Sequence, residues 1–217
     1  MSPFEDEVTQ IIADVFKETF RAARHDRAHL AHEGLLDSRK VGRGNKRRWS
    51  AWGTANFLIQ ESSGLHLSDA AETVPRVRAL PLLPAKTRFE MIGLFELFDF
   101  VKARTAGELI ECLIHDHQTD RFKLFRQPEA PGLKLSLLFE NDAKVVRATI
   151  YTDPTSTSRY RGTAWMTFGE DPSARAFQRQ NLLTSDISVN APLSVFERIA
   201  AALGSAVPVQ QETPAEG

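Results

Sequence analysis

The stretch Glu33-Gly34-Leu35-Leu36-Asp37-Ser38-Arg39-Lys40-Val41-Gly42-Arg43-Gly44-Asn45-Lys46-Arg47-Arg48-Trp49-Ser50 carries the features that decide the reading of this chain. Gly34 is placed to end a helix, because glycine adopts the left-handed conformation of a C-terminal cap at little cost. Leu35 and Leu36 then read as buried. Six basic residues follow, Arg39, Lys40, Arg43, Lys46, Arg47 and Arg48, with no acid among them. Gly42, Gly44 and Asn45 favour a turn over a helix, which predicts a hairpin with Gly42 to Asn45 at its tip. Ser50 has the side chain of a helix N-cap. The order is helix, basic hairpin, helix.

Working outward, Val8, Ile11, Ile12, Val15, Phe16 and Phe20 recur at helical spacing and predict one amphipathic helix over 4–24. A short helix over 26–33 follows it. Downstream, a helix over 51–62 packs through Trp52, Ala55, Phe57, Leu58 and Ile59 and ends at Gly64. Ser68 caps another, with Asp69 and Glu72 near its positive end. Pro75 is expected to kink or split that segment, and the proline-flanked stretch 81–86 reads as a linker. Residues 88–103 are apolar enough to predict a helix buried on several sides. Thr105 and Glu108 form a capping box for a second helix reaching about residue 117.

From residue 120 the pattern changes to short β-forming runs at 120–126, 133–139, 144–151, 160–168 and 182–189, with a hairpin expected at 140–143. Asn190-Ala191-Pro192 opens a last helix ending at Gly204, and 205–217 reads as a disordered tail. The fold class expected is α+β. A winged-helix-like domain over 1–82 precedes a part over 88–204 that holds a helix pair, a small mostly antiparallel sheet and a closing helix.

The formal net charge of −1, from 27 basic and 28 acidic residues, excludes a uniformly basic nucleic-acid coat. It conceals an acidic first helix and one concentrated cationic segment. No apolar run reaches the ~18–20 residues of a membrane span, and the acidic start MSPFEDEV lacks the pattern of a secretory signal. The single cysteine, Cys112, cannot form an internal disulfide or a structural zinc site alone. A cytoplasmic protein without a membrane partner is expected.

Residues 27–75 resemble the wing region of MerR-like winged-helix DNA-binding domains. There an E-G-L-L run is followed by a wing, an Arg-aromatic-Ser start of the next helix, and an L-S-x-x-E/A helix. Here these are Glu33 to Leu36, the basic turn, Arg48-Trp49-Ser50, and Leu67-Ser68-Asp69-Ala70. The resemblance covers about one fifth of the chain. It implies DNA binding by a bacterial or prophage-type transcriptional regulator. This chain departs from the family before E-G-L-L, where His29-Leu30-Ala31-His32 replaces the usual aromatic pair and one long helix is expected in place of two short ones.

The residues support the same reading independently. A glycine-bearing turn can press cations against phosphates, and each neutralised phosphate lowers log affinity by ~0.9 per decade of salt. Arg39, Lys40, Arg43, Lys46, Arg47 and Arg48 are the phosphate candidates. Arg24, Arg27, His29 and His32 are candidates for contacts in the groove. Trp49 reads as an anchor of the wing on the helical core. Residues 88–119 form either core or a homodimer interface suited to a palindromic site. No nucleotide-binding loop, metal-ligand set or nucleophile elbow is present, so no cofactor or metal is expected. Two alternatives stand beside DNA binding. One is a protein-interaction or phage assembly and packaging adaptor, and the other an enzyme acting through His115, Asp116 and His117.

Overall fold

The computed structural model describes residues 3–40, 47–64, 66–91, 98–119, 121, 133–140, 144–152, 162–170, 187–189 and 193–204. The expected tail lies outside them, as do residues 120 and 122–126 of the strand expected at 120–126 and residues 141–143 of the hairpin expected at 140–143. Helix and sheet are both present, so the α+β class holds.

The first helix does not run unbroken over 4–24. It divides into α1, Pro3–Phe16, and α2, Phe20–His32. Lys17 has φ 55, in the left-handed region, and turns the chain out of α1. Thr19 then caps α2, its hydroxyl accepting from the Ala22 N–H at 3.2 Å. The apolar period continues across the break, so spacing alone could not reveal it. The short helix expected over 26–33 is the second half of α2. Gly34, at φ 72, ends it as expected, and the Leu35 N–H closes onto the Leu30 carbonyl at 2.8 Å.

Strands β1, Ser38–Lys40, and β2, Arg47–Trp49, pair antiparallel, with Ser38 opposite Trp49, Arg39 opposite Arg48 and Lys40 opposite Arg47. The tip expected at 42–45 lies outside the described residues. Helix α3, Ala51–Ser63, starts at Ser50 and stops at Gly64, with φ 61. After a short 3-10 turn, α4 spans Ala70–Arg78. Pro75 lies inside α4 and does not split it.

Residues 81–86 are no loose linker. The Leu82 N–H donates to the Arg104 carbonyl at 2.7 Å, and the Leu83 N–H to the Thr167 carbonyl at 2.7 Å. Both stitch the segment to later elements. The helix expected over 88–103 is absent where the chain is described. Its start is strand β3, Arg88–Met91, and its end a 3-10 turn, Asp99–Lys102. A dense apolar run satisfies helix and strand templates alike. Here the antiparallel register of Arg88 with Trp165 selects strand.

Helix α5, Ala106–Gln118, is capped by Thr105, whose hydroxyl accepts from the Glu108 N–H at 3.2 Å. Strands β4, Leu133–Glu140, β5, Val145–Thr152, β6, Gly162–Gly169, and β7, Ile187–Val189, join β3 in an antiparallel sheet of order β3-β6-β5-β4-β7. Helix α6, Leu193–Leu203, closes the described chain.

One hydrophobic core runs through these elements. The inward residues of β5 and β6 (Val146, Ala148, Ile150, Ala164, Met166 and Phe168) are buried, as alternation requires of a one-sided sheet. Helix α5 packs on α3 and α6, and α6 returns to α1. The core is therefore continuous across residue 82. No helix among the described residues is long and apolar enough to cross a membrane.

Candidate nucleic-acid interface

The hairpin is mounted on α1 and α3 through Trp49 and Asp37. Trp49 is 6% exposed and meets Phe57 edge to face, with ring centroids 5.8 Å apart. Asp37 binds the start of α3, accepting from the Ser50 N–H at 3.3 Å and from the Ser50 hydroxyl. A Cβ at Gly53 would fall 2.8 Å from the Asp37 carboxylate, so glycine is required for this approach.

The register then sets Arg39 against Arg48 and Lys40 against Arg47. Like charges directly opposite across a strand pair destabilise it. Arg43 and Lys46 belong to the segment outside the described residues.

Helix α2 has two distinct faces. Ala23, Arg27 and Leu30 are buried, whereas Arg21, Ala22, Arg24, His25, Ala28, Ala31 and His32 are exposed. The exposed set contains no acid. Its long cations stand among alanines, which permit close approach of the helix to a surface. Arg21 was not apparent in the sequence as a site residue. It appears only once the helix is divided at Lys17 and Arg21 becomes part of a first turn.

The groove candidates therefore separate. Arg24 and His32 lie on the exposed face. Arg27 is placed inside: its Nη1 donates to Asp6 at 2.9 Å and to the Thr9 hydroxyl at 3.2 Å, and its guanidinium lies 6.0 Å from the Trp49 ring centroid. It ties α1, α2 and the hairpin together and is not available to a groove. His29 is half-buried on the flank of the helix.

Beside the turn between α1 and α2, Glu18, Asp26 and Glu61 bring carboxylate oxygens within 4.8 Å of one another. Hard cations take oxygens of this kind. Burial, followed by the hydrogen bond and charge of Glu18, pushes the Glu61 carboxyl up to about 9. A proton on Glu61 meets the same charge without a metal.

His115, Asp116 and His117 all lie on the last turns of α5, with Asp116 and His117 buried and His115 half-buried. Asp116 is fully buried and accepts from the Asp99 N–H at 3.0 Å and the Phe100 N–H at 3.1 Å, while Arg121 Nη1 donates to it at 2.9 Å. Its carboxylate holds the 3-10 turn in place. Burial raises its pKa, opposed by those two N–H donors and Arg121. Cys112 is half-buried, and burial pushes its thiol up to about 11, the opposite of an activated nucleophile.

Residues 98–119 bury Phe98, Phe100, Leu109, Ile110, Leu113 and Ile114 within the subunit. Of the two readings of 88–119, core or homodimer interface, the burial along α5 supports core. Phe89 is the exposed large hydrophobic side chain among the described residues.

No protein-family model matches the chain, and no curated protein or solved structure does so.

Proposed function

We propose that the protein binds DNA as a bacterial or prophage-type transcriptional regulator. In this reading α2 enters the major groove, and the β1–β2 hairpin follows the phosphates as a wing. The observation that carries the reading is the register that pairs like charges in the hairpin, together with the exposed Arg21 and Arg24 on α2; His25 and His32 on the same helix are paired with Asp26 and Glu33. Arg21, at the positive end of α2, and Arg24 and His32 along it are the groove contacts. Arg39, Lys40, Arg43, Lys46, Arg47 and Arg48 hold phosphates. The committed carboxylate of Asp116 gives the enzyme alternative no support.

Fluorescence anisotropy with genomic fragments across a salt series tests this. Engagement of all six hairpin cations gives a slope of log affinity on log salt near about −5. Replacing Arg43, Lys46, Arg47 and Arg48 by Ala should weaken binding and reduce that slope by roughly 3–4. Unchanged binding by the quadruple variant refutes the wing. Equal affinity for every fragment and for competitor DNA refutes the regulator.

A further inference from the structure

A cleft of about 370 Å³ lies between α3, α4 and the start of α5. Leu35, Trp52, Pro75 and Ala79 supply apolar walls, and Arg78 and Thr105 supply polar groups. That volume and mixture suit a small organic molecule.

Arg78 is held in a defined orientation. Its guanidinium lies 5.3 Å from the Trp52 ring centroid, its Nη1 donates to Asn56 Oδ1 at 3.1 Å, and it is ion-paired with Glu111. Asn56 is fully buried, and its Nδ2 donates to the Leu35 carbonyl at 2.8 Å. Both ends of the Asn56 amide are thus used in positioning Arg78. A Cβ at Gly107 would fall 2.3 Å from Arg78 Cγ, so α5 crosses the arginine stem at a distance only glycine permits.

A guanidinium carries five N–H donors, and Asn56 and Glu111 do not exhaust them. The Thr105 hydroxyl accepts from Glu108 and retains a proton to donate. Glu108, the acid on the rim, is turned back onto the Arg104 N–H at 2.7 Å, where it stabilises the start of α5.

We propose that this cleft binds a small planar aromatic carboxylate, with its ring against Trp52 and Pro75 and its carboxylate on Arg78. A carboxylate accepts, in the plane of the guanidinium fork, from the N–H donors that Asn56 and Glu111 leave, and shares the Arg78 charge with Glu111. The flat ring suits walls built from an indole and a proline. The site does not depend on the DNA reading.

Isothermal titration of the full chain without DNA tests it. The probes are benzoate and indole-3-acetate, with benzamide and indole-3-acetamide as neutral controls. Saturable one-to-one binding of a carboxylate at millimolar Kd or tighter is expected, with its amide at least about 10-fold weaker. Arg78→Gln should abolish binding. Because Arg78 also joins three helices, Ala79→Trp provides a second variant. Ala79 is exposed, so this change fills the cleft without entering the Arg78 network, and it should remove binding while the thermal midpoint holds. No saturable binding of either acid up to about 10 mM overturns the proposal. So does amide binding equal to that of the acids, or wild-type affinity in Ala79→Trp.

Discussion

Glu61→Gln should stabilise the protein at alkaline pH and flatten its pH dependence. Glu61 faces Glu18 from the α1–α2 turn and Asp26 from α2, with oxygens within 4.8 Å. Burial, followed by the hydrogen bond and charge of Glu18, raises its carboxyl from 4.5 to about 9. The folded state therefore holds a proton that the unfolded chain has released at neutral pH. A raised folded pKa favours folding below the unfolded value, and that contribution is lost as pH rises from about 4.5 towards 9. Across that window stability should fall by on the order of 1 kcal/mol per pH unit, or roughly 2–3 kcal/mol between about pH 6 and 8. Glutamine imitates the protonated carboxyl and removes the titration. Urea unfolding of both proteins at matched ionic strength, at several pH values between those limits, measures the difference. Taking that difference cancels the other titrating groups. Parallel curves for Glu61→Gln and wild type would refute a shared proton among these three carboxylates.

Four further outcomes follow from other contacts. Arg27→Ala removes the ion pair of Asp6 and the link from Thr9 to α2 and should cost about 1–3 kcal/mol in urea unfolding. Arg21→Ala and Arg24→Ala should change stability by under about 0.5 kcal/mol and weaken DNA binding, so equal stability losses in all three contradict the division of α2 into faces. Asp116→Ala orphans the Asp99 and Phe100 N–H groups and should cost about 2–4 kcal/mol, seen as a lower urea midpoint. Gly107→Ala forces a Cβ towards Arg78 and should cost about 1–3 kcal/mol, lowering the thermal midpoint by roughly 2–4 °C per kcal/mol.

Much of the helical half was legible because its signals are local. Gly34, Ser50, Gly64 and the Thr105–Glu108 pair set element boundaries through bonds spanning only a few residues. The paired strands were legible from β-rich runs broken by turn residues. The break at Lys17 was not, because nothing in its side chain announces a positive φ. The fate of 88–103 was not, because an apolar run fits helix and strand equally until a neighbour, here β6, offers its edge.

The basic cluster is a property of the sequence by itself, since six cations without an intervening acid create a positive field in any fold that exposes them. Which arginine of α2 stays on the surface was decided only by tertiary structure. Arg24 and Arg27 are three residues apart with the same chemistry, yet the rotation of α2 against α1 leaves one on the surface and sets the other on Asp6. The cleft beside Arg78 has the same origin, because its walls come from segments far apart in the chain. Local bonds write caps and turns into the sequence. Faces, burial and clefts arise from packing between distant elements, and that information is not carried by any one segment.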